Sequence, residues 1–205
     1  KKKKNTQEDA GGGCMKKLIA AIAVAASVSW TCSASAFDVR GTDFEDAAAR
    51  YGLDPVLLYS VALAESASGR GDNNISPWPW TLRTLNEPFY AMSREQAATR
   101  LQQLIDHKGK KVSVDIGFMQ VNLFWHGHRV QNPIDLLDPI TNLNTGAEIL
   151  SETISSSPDD LELGIGRYHN WKDEARSRSY GKRVLSIYQQ LLNLQESRYA
   201  AKFNN

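Results

Sequence analysis

From residue 37 onward the apolar positions recur at helical spacing, and Gly, Pro and Asn cut them into short runs, so the chain reads as helices joined by brief loops. Thr42 opens a run through Asp46-Ala47-Ala48-Ala49 that Gly52 closes. Asp54-Pro55 then starts a second helix, with a capping carboxylate ahead of a proline in the first turn. Val56 to Ala64 is apolar on almost every side, which marks this helix as a buried central one ending at Glu65-Ser66. Between Gly71 and Phe89, around Ser76-Pro77-Trp78-Pro79-Trp80, the composition suits a loop with short strands. Ser93, with Gln96 three residues on, caps a helix to about Ile105, and Val112 to Ile116 alternates as a short strand. A short helix is expected from Met119 into Phe124-Trp125, and others around Thr141–Thr153, Pro158–Tyr168 and within Glu174–Gln195. The fold class is mainly α, a single helical domain over 37–198 with a small irregular β/loop region, followed by a flexible tail over 199–205.

The first 36 residues follow another pattern. Met15-Lys16-Lys17 leads into an apolar and small-residue run from Leu18 to Val28 that ends in Ala34-Ser35-Ala36, the three parts of a secretory signal peptide. The run falls short of the roughly 20 apolar residues that a membrane helix needs, so export and cleavage after Ala36 are expected, with no stable membrane insertion afterwards. Residues 1–14 read as a mis-assigned or non-native leader, and 15–36 as the signal peptide. Cleavage would remove both Cys14 and Cys32, leaving no disulfide or thiol chemistry, and the bulky Trp30 ahead of Cys32 does not suit a lipoprotein signal. The whole chain carries 24 Lys+Arg against 23 Asp+Glu, net +1, which supplies no electrostatic case for a nucleic-acid partner. Six of those bases and two of those acids precede the cut, so the remainder is net acidic by three charges.

Three stretches interrupt the structural pattern with candidate chemistry. Glu65 puts a carboxylate at the end of an apolar helix. Its position alone leaves open a solvent-facing helix end or a desolvated carboxyl that keeps its proton near neutrality and works as a general acid. In Asp115-Ile116-Gly117-Phe118-Met119-Gln120-Val121-Asn122, Gly117 permits a tight turn, Met119 offers an apolar contact, and the amides of Gln120 and Asn122 suit a neutral, N-acetylated sugar. The alternative is a polar turn leading into a core helix. Tyr168, within Gly166-Arg167-Tyr168-His169-Asn170, is either a hydroxyl that orients a carboxyl or a buried ring with a satisfied hydroxyl.

The order Glu65-Ser66, Gly117 to Asn122, Asn142-x-x-x-Gly146-Ala147-x-x-Leu150 and Tyr168-His169-Asn170 resembles the lytic transglycosylase family of lysozyme-like, peptidoglycan-cleaving enzymes over about Phe44 to Ile187. In particular it resembles the small one-domain members that accompany conjugation and other secretion machines. The resemblance implies an α+β lysozyme-like fold, with the irregular region beside a catalytic cleft. It also implies cleavage of the bond between N-acetylmuramic acid and N-acetylglucosamine, closing a 1,6-anhydro ring without a cofactor or metal. Glu65 matches the single catalytic acid. Ser66, Gly117, Phe118, Met119, Gln120, Asn122 and Tyr168 match substrate-binding positions, with Phe118 in place of the commoner Leu and Tyr168 as the tyrosine that contacts the carboxyl. Where the family has Ala-Tyr-Asn, this chain has Arg167-Tyr168-His169-Asn170. The implied partners are peptidoglycan strands and a conjugative or other secretion apparatus, and the implied place is the periplasm.

Two alternatives remain at this stage. A hydrolytic lysozyme would need a second carboxylate, for which Asp115 is the candidate, although it also reads as a hydrogen-bonding residue of the turn. A non-catalytic scaffold would keep the cleft without turnover. Trp78, Trp80 and Trp125 can stack on sugars or pack in the core, with the Pro-Trp-Pro-Trp loop the better prospect for the cleft. His126-Gly127-His128 lacks a clear third metal ligand, Arg70-Gly71-Asp72 is a chance tripeptide, and Lys108, Lys110 and Lys111 read as a solvated face.

Overall fold

The computed structural model describes residues 37–69, 75–85, 87–109 and 112–203, which all fall within one unit of the chain. The leader and signal-peptide assignments lie outside these residues, as do Cys14, Cys32, Arg70-Gly71-Asp72, Lys110 and Lys111. Helix α1 (Asp43–Tyr51) ends where Gly52 turns left-handed at φ 67°. Thr42 stands at its start, but the hydroxyl donates to Val39 O at 2.5 Å and does not cap the helix. Helix α2 (Pro55–Ser66) begins as its sequence predicts, with Asp54 Oδ1 accepting from Leu57 N at 2.8 Å. Leu58, Val61 and Ala62 are fully buried, and both α1 and the C-terminal helix α7 (Glu174–Phe203) pack on α2. That enclosure explains the lack of a polar face, and it delivers Glu65 to the end of a rigid rod.

Directly after α2 comes a small antiparallel pair, β1 (Ala67–Gly69) with β2 (Ile75–Pro77), with Ser68 opposite Ser76. A second antiparallel sheet follows, in the order β4-β3-β5-β6, from β3 (Thr81–Arg83), β4 (Pro88–Tyr90), β5 (Asp115–Ile116) and β6 (Val121–Asn122). Arg83 of β3 stands opposite Asp115 of β5, so the two inner strands of this sheet set opposite charges side by side. Helix α3 (Arg94–Lys108) runs past the expected end at Ile105, and the strand expected over Val112–Ile116 is reduced to two residues.

The helix expected from Met119 is not formed. Gly117 at φ 80° and Gln120 at φ 46° are both left-handed, a conformation no α-helix continues through, so residues 117–120 make the turn of a hairpin. Helix α4 (Leu123–His126) starts only after β6, where Asn122 Oδ1 accepts from Phe124 N and Trp125 N. Two 3-10 turns, Gly127–Arg129 and Pro133–Leu137, lead to α5 (Pro139–Ser155).

Helix α6 (Leu161–His169) starts later than expected because Asp160, not Pro158, caps it by accepting from Leu163 N. Helices α6 and α7 press together at two glycines: a Cβ on Gly166 would lie 2.1 Å from Ser177 O, and one on Gly181 2.1 Å from Glu162 O. Arg178 clamps the same seam through Asp160, Glu162 and Glu174. Helix α7 is helical beyond the expected Gln195, through Phe203. The result is a mainly α, lysozyme-like domain with a small β region, and no helix among the described residues is long and apolar enough to cross a membrane.

Candidate active site

Glu65 occupies the last turn of α2, where the side chain keeps 13% of its surface exposed. It is therefore enclosed but reachable. Loss of hydration raises its pKa from 4.5 to about 7; the nearby Tyr180 hydroxyl opposes that rise, Asp115 adds to it, and Arg183 and Arg83 oppose it. The Tyr180 phenol comes from α7 and is itself buried at 4% exposure, with its hydroxyl out of hydrogen-bonding geometry with every described residue. Its influence on Glu65 is thus that of a close dipole, without a formed bond. Burial and the Glu65 charge push the Tyr180 pKa well above the phenol value, so it remains a neutral O–H. His169 Nδ1 lies 3.9 Å from Glu65 Oε1, and Arg183 reaches across the Tyr180 ring to donate to Ala64 O at 3.3 Å. The carboxyl is thereby ringed by groups from α2, α6, α7, β3 and β5.

Tyr168 has a different partner from the one expected. Its hydroxyl donates to Met119 O at 2.6 Å, and the phenol that faces Glu65 is Tyr180. The Tyr168 hydroxyl is satisfied by the backbone, its ring is partly buried, and the Glu65 charge still reaches it. Tyr180 escaped sequence reasoning because it sits on the apolar stripe of α7, four residues before the core Val184. Arg83 and Arg183 carried no sequence signal at all.

Ser66 is 1% exposed, its hydroxyl donates to Ala62 O at 3.0 Å, and its carbonyl accepts from Trp78 N at 3.1 Å, so it turns inward and joins α2 to the segment after β2. The turn from Gly117 to Asn122 is wired mostly to the protein. Asn142 accepts from Met119 N at 2.9 Å and donates to Ile116 O at 2.7 Å and Leu136 O at 3.0 Å. A Cβ on Gly117 would strike that amide at 2.4 Å. Met119 is wholly buried, packed into the space left by Gly146, where a Cβ would meet its own at 2.3 Å. Gln120 donates to Thr81 O and Gly117 O, while its Oε1 has no partner among the described residues. Asn122 caps α4 and donates to Asp115 Oδ1 at 2.7 Å.

Phe118 meets Phe44 at 6.0 Å and lines a cavity of about 400 Å³ with Phe37, Val39, Asp43 and Tyr59. Glu65 does not line that cavity, so it is separate from the charged recess. Asp115 stands near Glu65 and Arg83, its pKa raised by burial against the hydrogen bond from Asn122. Asn170 is a turn residue, accepting from Lys172 N and Asp173 N between α6 and α7. Trp78 and Trp80 pack edge to face, with Trp78 Nε1 donating to Ala91 O, whereas Trp125 is 64% exposed. Among the described residues no three His, Cys, Asp or Glu side chains gather as a metal ion would require.

A partly exposed carboxyl with a pKa near 7 can give a proton and take it back at neutral pH. Neither the curated proteins nor the solved structures contain a match to this chain. The family profile described as the Transglycosylase SLT domain matches residues 43–183, from the first residue of α1 to Arg183 beside the recess. The chain therefore belongs to the transglycosylase SLT domain family of enzymes that act on peptidoglycan.

Proposed function

We propose that Glu65 is the single acid and base of a reaction that cleaves the β-1,4 bond from N-acetylmuramic acid to N-acetylglucosamine and leaves a 1,6-anhydro-muramyl end. The observation that carries this reading is the enclosed carboxyl at the end of α2, held near pKa 7. Protonated Glu65 gives its proton to the bridging oxygen as the C1–O bond breaks and positive charge gathers on the muramyl ring. The N-acetylglucosamine leaves as an alcohol. The resulting Glu65 carboxylate takes the proton from the muramyl C6 hydroxyl, whose oxygen bonds to C1. No water enters, and the acid returns to its starting form. Asp115 modulates Glu65 by its charge and holds Asn122, while Gln120 Oε1 offers an acceptor to a sugar amide or hydroxyl.

The same reading places the domain outside the cytoplasm, carried there by the signal peptide over 15–36 and cleaved after Ala36. Its task there is to open the wall for a conjugative or type IV-like secretion apparatus. That assignment rests on the motif resemblance and on the small-x-small end of the leader. N-terminal sequencing of the exported protein, and loss of conjugation or secretion on deletion of the gene, test it.

The chemical test is mass spectrometry of soluble muropeptides released from purified peptidoglycan. Products lighter by one water than the hydrolytic ones, absent with Glu65→Gln, are expected. Reducing-end products would overturn the anhydro mechanism and make Asp115 the second carboxylate of a lysozyme. Binding to the wall without release would favour a scaffold.

A further inference from the structure

Where the resembling motif carries Ala-Tyr-Asn, this chain has an imidazole directly after the tyrosine. The close packing of α6 on α7 lays that ring flat on Tyr180, with centroids 4.7 Å apart and planes within 1° of parallel. Its Nδ1 lies 3.9 Å from Glu65 Oε1, and 51% of the side chain is open to solvent. His169 therefore touches both the group that carries the proton and the phenol beside it. We propose that His169 is a positioning residue for Glu65: neutral, it holds the Tyr180 phenol against the carboxyl, and protonated, it shuts the acid–base cycle down. This rests on the assignment of Glu65 as proton donor and acceptor.

The charged and titratable groups facing the pair are Arg83 on β3, Asp115 on β5, Tyr168 on α6, and Arg176, Tyr180 and Arg183 on α7. Burial first, then the three arginines, holds the His169 pKa below the usual 6.5, whereas Glu65 is raised to about 7. A neutral imidazole and a protonated carboxyl thus coexist over a window just below neutrality. As pH falls through the His169 titration, a cation forms beside Oε1. It weakens the Glu65 carboxylate as the base for the C6 hydroxyl and repels the positive charge gathering on the sugar ring. Activity is lost toward acid even though Glu65 itself stays protonated. Asparagine at this place, with no titrating group, has no such switch.

The test combines the pH dependence of muropeptide release, from about pH 4.5 to about 8.5, with NMR titration of the His169 ring. Wild-type kcat should fall about tenfold per pH unit below the His169 titration. His169→Phe keeps a flat ring on Tyr180, and His169→Gln is polar and does not titrate. Relative to its own maximum, each should keep its activity there and decline on the alkaline side as the wild type does. Retention of the wild-type acid limb in both variants would overturn the switch. His169→Ala, which removes the stack, should lower kcat about tenfold at the optimum with KM unchanged, and an unchanged kcat would overturn the positioning role. The wild-type ring resonances should show a second step where Glu65 titrates, absent in Glu65→Gln. Identical curves in the two proteins would overturn the coupling, whether or not muropeptides are released. Failure of the transglycosylase reading shows separately, in the product masses.

Discussion

The turn at 117–122 and the wall around Glu65 adjoin each other and treat polar groups in opposite ways. In the turn, Asn142, Asn122 and the Gln120 amide nitrogen spend their hydrogen bonds on the protein, fixing a backbone that contains two left-handed residues. In the wall, the Tyr180 hydroxyl is buried without a partner and the Glu65 carboxyl is left desolvated. Satisfied bonding gives the turn its position. Unsatisfied bonding leaves the wall with proton affinities far from their ordinary values, which is where acid–base chemistry is found. Most of the polar residues of the Gly117-to-Asn122 motif accordingly serve to fix the turn, and the groups with shifted proton affinities beside Glu65 come from α2, α6 and α7.

Replacing residues in the two regions should separate these roles, beginning with the largest effect. Glu65→Gln should reduce muropeptide release by about 10³-fold or more, roughly 4 kcal/mol in the barrier. The same substitution should stabilise the fold at high pH. Folding raises the Glu65 pKa from 4.5 to about 7, so the folded protein holds a proton that the unfolded chain has already released. Stability from this source is full below 4.5 and declines as pH rises to about 7, a change on the order of 3 kcal/mol. Melting curves should therefore show the Gln variant several degrees above wild type at alkaline pH and level with it near pH 4. A variant that is less stable than wild type at both would refute the desolvated acid.

In the turn, Asn142→Ala strips partners from Met119 N, Ile116 O and Leu136 O, and should cost at least about 3 kcal/mol in denaturant unfolding. A loss under about 1 kcal/mol would mean that the turn is held by other contacts.

The two tyrosines give the sharpest contrast. Tyr168→Phe orphans Met119 O and should destabilise by about 1–2 kcal/mol, leaving the pH profile of activity in place. Tyr180→Phe loses no formed bond and should change stability little, but it removes the dipole that lowers the Glu65 pKa, so the alkaline limb should move to higher pH. If Tyr168→Phe moved that limb and Tyr180→Phe did not, the pairing of phenol and acid would have to be reversed. The smallest effect is expected for Asp115→Asn. Removing its charge lowers the Glu65 pKa, so the alkaline limb should shift to lower pH, with the maximal rate reduced less than about fivefold. A loss approaching that of Glu65→Gln would support the hydrolytic alternative.

Much of this was legible in the chain. Asp54-Pro55 announces α2, Gly52 ends α1, and the unbroken apolar surface of Val56 to Ala64 identifies the central helix whose end carries the acid. The turn at Gly117 was readable as a turn. What followed it was not, since the left-handed Gln120 that prevents a helix is set by amide bonds to Thr81 O and Gly117 O, the first of them to a residue far away in the sequence. The contact of Phe118 with Phe44 was likewise not legible, because an aromatic beside a glycine turn gives no sign of which side its ring takes.

The sequence by itself determined where the long helices lie, that a carboxyl ends the buried one, and which family motifs stand in which order. These are local or near-local properties, set by helical periodicity, by capping side chains and by residues within a few positions of one another. Only the tertiary structure decided which tyrosine faces Glu65, that Ser66 turns inward, and that His169 lies flat on Tyr180. Those relations depend on the spacing of α6 and α7 at Gly166 and Gly181 and on the placing of α2 between its neighbours. The acid's proton affinity depends on them too, because desolvation and nearby charge come from every element that closes around it and not from the residues on either side of it in the chain.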